Sequence, residues 1–156
     1  MVHKPKHKVH SFRGLLADGG QDEINLERST LNLAYRIIKF ELLPNQIGAG
    51  GGEHTCIISR ESSLAATNTV DFSDPDLLGA GFINNSTASH TSPIVLISIF
   101  DNVLFSRNIF VSQYDNDGDR ALNYYIELEE VPVTPSTLMQ LKLGVARKLN
   151  LQEGEN

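Results

Sequence analysis

Tryptophan is absent from this chain of 156 residues, cysteine occurs once, and 13 Lys and Arg stand against 19 Asp and Glu. The last two shortages each remove a class. The single Cys56 closes no intramolecular disulfide, so stability must come from packing, and a buried thiol is expected. A formal net charge of −6 does not suit a body that grips nucleic acid, because such binding rests on clustered Lys and Arg neutralising phosphates. Long apolar runs are also missing. IVLISIF, residues 94–100, falls well short of the roughly 18 residues a membrane span needs. No apolar segment follows the charged start either, so no signal peptide is read and synthesis in a cytoplasm is expected.

What is present suits one folded domain. The length lies near the roughly 100 to 150 residues around which domains cluster, and 40% hydrophobic with 21% charged residues is ordinary for a packed core. The dominant pattern is alternation at period 2, which sends successive side chains to opposite faces of a sheet. In LNYYIELEE, Leu122, Tyr124, Ile126 and Leu128 point one way, while Asn123, Tyr125, Glu127 and Glu129 point the other. One face is therefore buried and one mostly wet, as in an antiparallel strand. YRIIKFELL repeats this, with Ile38, Phe40 and Leu42 on one side and Ile37, Lys39 and Glu41 on the other, up to Pro44. On that count Ile37 is exposed.

IVLISIF is apolar on both faces apart from Ser98, the pattern of a central strand covered on each side. RNIFVSQY, residues 107–114, alternates again after the FDNVLFS bend, and further strands are expected near 9–16, 53–59 and 78–84. Roughly seven or eight short strands separated by Gly, Asn, Asp and Pro clusters predict an all-β fold. The form expected is an antiparallel β-sandwich, of which a jelly roll is one version. In TPSTLMQLKLGVARKL, Thr134 can cap, Pro135 suits the first helical position, and Leu138, Leu141, Val145 and Leu149 share a face. A short amphipathic helix is predicted, although Gly144 weakens it by about 1 kcal/mol. The chain then divides into a basic N-terminal arm at 1–14, a sandwich at 15–131, and a C-terminal helix or arm with its tail at 132–156.

Three constellations invite chemistry. QYDNDGD places Asp115, Asp117 and Gly118 at the third, fifth and sixth positions of an EF-hand loop, but Gln113 then takes the first and Tyr124 the twelfth. The closing bidentate glutamate is lost, and alternating strands stand where helices should flank the loop. A hairpin turn at Asp117-Gly118 is the better reading. His54 and Cys56 share a strand face, yet two ligands do not complete a zinc shell. A core cysteine beside a strand-end histidine is expected. Ser62, Ser63 and His90 supply parts of a hydrolase triad without any nucleophile-elbow pattern. Tyr124, Tyr125, Phe105, Phe110 and Tyr114 are aromatic enough for a sugar or base platform, but alternation sends about half of them into the core. No catalytic, cofactor or metal residues are therefore expected.

YRIIKFELLP, IFDNVLFSRNIFVSQYD and NYYIELEEV, following a basic start and DGGQDEINLE, resemble small β-rich virion proteins of tailed bacteriophages, especially those of aquatic and cyanobacterial hosts. The resemblance spans roughly residues 10 to 131. It implies a non-enzymatic protein found on or between capsid subunits as decoration, cement or knob, made in the host cytoplasm and carried in the virion. Its implied partners are the major capsid protein and copies of itself, with no membrane and no direct nucleic-acid contact. A compact body with terminal arms fits that role. The candidate interface residues are Lys4, Lys6, Lys8 and Arg13 at the basic start, Tyr125, Glu127 and Glu129 on the wet strand face, and Leu138, Leu141 and Val145 on the helix. The acids Glu127, Glu129 and Glu130 beside a basic start also allow head-to-tail contact between copies. A carbohydrate-binding or host-attachment module is the alternative, using aromatic side chains on a sheet face or loops.

Overall fold

The computed structural model describes residues 7–26, 32–47, 52–84 and 94–141, and among them eight strands form two antiparallel sheets packed face to face. In chain order the strands are β1 (Val9–Leu16), β2 (Gln21–Ile24), β3 (Leu33–Pro44), β4 (Glu53–Ser59), β5 (Leu77–Asn84), β6 (Ile94–Ile99), β7 (Ile109–Asp115) and β8 (Leu122–Pro132). One sheet runs β1-β8-β3 and the other β2-β7-β4-β5-β6. The expected β-sandwich is the fold, and residues 135–141 form a short helix after it. The pairing is nested, β1 with β8, β2 with β7 and β4 with β5, as in a long antiparallel ribbon rolled up into a jelly roll. One pairing departs from this nest. β6 joins β5 at the edge of the larger sheet and does not pair with β3.

Between the layers lies one core in which Ile109, Val111, Leu122, Ile126 and Leu128 are wholly buried. Each such side chain contributes about 1.5 to 3 kcal/mol of apolar burial. Cys56 is buried among them, and burial pushes its thiol far above the ordinary range. Glycines let the sheets close in. A Cβ on Gly81 would stand 2.7 Å from Leu42 Cδ1, and one on Gly14 would stand 2.8 Å from both Asp22 Oδ2 and the Tyr124 ring. A second, smaller cluster of Ile57, Ala66, Leu77 and Ala80 forms where the 60–76 segment covers the outer face of the larger sheet.

Several expectations change against this architecture. Ile37 is buried, not exposed, because β3 carries a bulge: Ile37 pairs with Leu128 and Lys39 with Glu127, leaving Ile38 as the extra residue. The inserted residue resets the alternation, so Tyr35 and Ile37 before it and Phe40 and Leu42 after it all face the core. β6 is an edge strand, not a central one, and Ile94, Val95 and Leu96 are exposed. Asp117-Gly118 is no hairpin turn, since β7 lies in one sheet and β8 in the other, and the turn carries the chain across the sandwich. β2 was not anticipated. Val9 already pairs with Glu129, so the basic start joins the sheet there and Arg13 is a strand residue. Lys4, Lys6, His90 and Val145 lie outside the described residues.

Candidate functional site

Three strands build an outward face whose side chains line up in rows across the sheet. Register places Leu15, Asn123 and Leu43 in one row, Arg13, Tyr125 and Glu41 in the next, then Ser11, Glu127 and Lys39, then Val9, Glu129 and Arg36. Because cross-strand neighbours on one face stand close enough to interact, this ladder brings together candidates that lie more than a hundred residues apart in the chain. Arg13, Tyr125 and Glu127 are adjacent on it.

Tyr125 occupies the centre. Its hydroxyl donates to Glu127 Oε1 at 2.8 Å, and the Lys39 ammonium stands 5.9 Å from its ring centroid. The bond to Glu127 holds the phenol above its ordinary pKa. Lys39 also pairs with Glu41 at 3.2 Å, and that hydrogen bond raises the lysine. These exposed pairs give the face its shape more than its stability, since water screens them. Leu15 and Leu43, 52% and 53% exposed, flank the aromatic centre on the apolar end. Arg13, Leu15, Glu41, Leu43, Asn123 and Tyr125 border an open concavity of about 680 Å³.

Glu129 does not belong to that wet surface. It is 1% exposed and accepts from Arg36 Nε at 2.8 Å, directly across the ladder. A buried carboxylate held this way is a structural ion pair, which corrects its place as a free interface acid. Glu130 is likewise engaged within the chain, 2.6 Å from His10 Nε2. Lys8 is exposed beside it, and its carbonyl accepts from Glu130 N–H.

The helical candidates sit elsewhere. Thr134 caps as expected, with its hydroxyl accepting from Thr137 N–H at 3.2 Å. Leu138 and Leu141 are half-buried, and Leu141 lines a small hollow with Phe105 and Asn108 of the sandwich itself. The structure therefore separates the candidates into a sheet face and a helix, which share no contact site among the described residues.

The aspartate run is a corner clamp. Asp115 is buried, accepts from the N–H of Asp117, Glu53 and Arg120 at 3.0, 3.1 and 3.0 Å, and donates its own N–H to Asp18 Oδ1 at 2.7 Å. Burial alone would raise its pKa, but those three hydrogen bonds and the field of His54 outweigh it and hold the carboxyl below the usual value. Beside it Gln113, fully buried, donates to the carbonyls of Leu16 and Arg120 and lies 3.1 Å from His54 Nδ1. Among the described residues no group of three His, Cys, Asp or Glu side chains is placed to hold a metal ion. Sequence reasoning missed Lys39, Glu41, Leu15 and Leu43 as members of the face, because only strand order and register reveal who stands opposite Tyr125. Searches against protein-family models, curated proteins and solved structures give no match to this chain.

Proposed function

We propose that this chain is a non-enzymatic structural protein of a phage particle, which docks on the capsid lattice through the outer face of the three-stranded sheet. The observation that carries this reading is the ladder centred on Tyr125, with Arg13 opposite it on β1, Glu41 opposite it on β3, the Lys39 ammonium near its ring and two exposed leucines beyond. Aromatic and arginine side chains ringed by apolar and polar neighbours are what protein interfaces concentrate. The basic start supports it, since Lys4, Lys6 and Lys8 precede β1 in the sequence and such a charge cluster suits an acidic neighbouring surface. Rolled-up sandwiches serve in viral shells and also in lectins, so the fold favours the class without choosing within it. The resemblance in sequence favours the shell, with the major capsid protein as partner and the virion as location.

Co-sedimentation with purified shells tests this. Tyr125→Ala is expected to lower occupancy at least tenfold, an interface-centre loss of about 1.5 to 2 kcal/mol, while the folded protein keeps its melting temperature. Full occupancy by that variant would refute the docking face. A second reading has its own observation: Tyr125, Asn123 and Glu41 border a concavity, the aromatic, amide and carboxylate set that a sugar requires. Binding of the isolated chain on a glycan array, abolished by Tyr125→Ala, would select that reading instead.

A further inference from the structure

β6 ends the five-stranded sheet, and no described strand pairs with its far side. Soluble proteins usually blunt such an edge with charge, proline or a bulge. Ile94–Ile99, IVLISI, has none of these: it is uncharged, and its register with β5 runs unbroken from Asn84↔Ile94 to Gly79↔Ile99. Ile94, Val95 and Leu96 are 46%, 51% and 62% exposed. Leu96 points outward, where it borders a hollow of about 510 Å³ together with Val70, Phe72 and Phe82. Val95 pairs with Ile83 and shares its inward face, yet half of it is left in water.

We propose that β6 pairs antiparallel with β6 of a second copy, about a twofold axis normal to the sheet, so that the two five-stranded sheets become one. The strand is its own complement. Directly opposed residues of an antiparallel pair share a face, so the axis must lie midway between the two copies of one residue and not between two successive residue pairs. Centred on Leu96, it sets Leu96 of one copy against Leu96 of the other, Val95 against Ile97, and Ile94 against Ser98. No charge meets a like charge in that register, and a partner selected by charge would find nothing to read along this edge. The exposed parts of Ile94, Val95, Leu96, Val70 and Phe72 amount to about 500 Å² per copy, so the pair buries at most about 1,000 Å², the low end for a specific interface, as suits a weak, concentration-dependent dimer. This edge lies in the other sheet from the Tyr125 face, so pairing is a property of the isolated protein and does not depend on docking to a shell.

Sedimentation velocity of the full chain over a concentration series reads the outcome. The wild type is expected to move from 17.2 kDa toward twice that mass, and to do so more readily at high salt, because two copies each of net charge −6 repel less when screened. Leu96→Lys, at an exposed position, should remain monomeric throughout at unchanged melting temperature, with at least a tenfold weaker association. Should that variant lose its fold, Leu96→Thr serves in its place. Oxidised Leu96→Cys should give a covalent dimer and Ser98→Cys should not, with Cys56 buried and out of play. A wild type monomeric at every concentration overturns the proposal, including the case in which the chain's own remaining residues cover the edge. A dimer unaffected by Leu96→Lys overturns it equally, since association would then use another surface.

Discussion

Removing the Asp115 carboxylate tests whether the aspartate-rich turn is a structural clamp. Two of its three hydrogen bonds fall on Oδ1, from the N–H groups of Asp117 and Glu53, and one on Oδ2, from Arg120. Bonds to a charged acceptor are worth about 1.5 to 3 kcal/mol each when buried. Residues 116–119 are exposed, so water can replace part of what is lost. Asp115→Ala is therefore expected to cost about 3 kcal/mol, which in a domain of this size is about 6 to 12 °C in melting temperature. Asp115→Asn keeps an oxygen for two of the donors but turns an amide toward Arg120 N–H, and should cost about half as much. The pH dependence has a fixed sign. Because the native pKa of Asp115 is depressed, its contribution is complete above the unfolded-state pKa and is lost as pH falls through the native one. Urea unfolding of wild type and Asp115→Asn should thus differ at neutral pH and converge in strong acid. Equal stability at neutral pH, or a gap that persists undiminished in acid, would refute the clamp.

Other perturbations reach separate parts of the fold. Calcium should leave the melting temperature unchanged, and a rise that Asp117→Ala abolishes would show a metal site at the turn. Gly81→Val, which drives new atoms into Leu42 and Ile97, should destabilise by about 1 to 3 kcal/mol in denaturant titration; a neutral result would mean the sheets are not in contact there. Arg36→Ala removes the charged partner that donates to the buried Glu129 at 2.8 Å and should cost about 2 to 4 kcal/mol, far more than Lys39→Ala on the exposed ladder. In an alkaline titration one tyrosine should ionise only on unfolding: burial and the bond to Asp22 at 2.8 Å hold Tyr124 far above the ordinary phenol range. Its stabilisation is present below the unfolded-state pKa and is lost as pH rises beyond it.

Much of the architecture was legible because alternation encodes burial directly. In β8 the inward row Leu122, Tyr124, Ile126 and Leu128 is buried as the pattern requires, and Thr134-Pro135 announced the helix start. The failures share a physical origin, which is that local chemistry does not specify a partner. Asp117-Gly118 turns the chain equally well toward a neighbouring strand or toward the opposite sheet. An apolar run such as Ile94–Ile99 reads as central because nothing in it says which side stays unpaired. In β2, QDEI offers only Ile24 to the core, too little for a periodic signal. The bulge at Ile38 disturbed a clean alternation, and Glu129 read as wet because its partner Arg36 arrives from 93 positions away. The Tyr125 face was half visible: its β8 members follow from the alternation, whereas Lys39, Glu41, Leu15 and Leu43 join only through register.

Quantitative mass spectrometry of purified virions measures the proposed role most directly. The expected result is this 17.2 kDa chain in fixed stoichiometric proportion to the main coat protein, retained through washing and depleted when Tyr125 is replaced by alanine. Particles that lack the chain altogether, or carry it only in traces without fixed proportion, would contradict it.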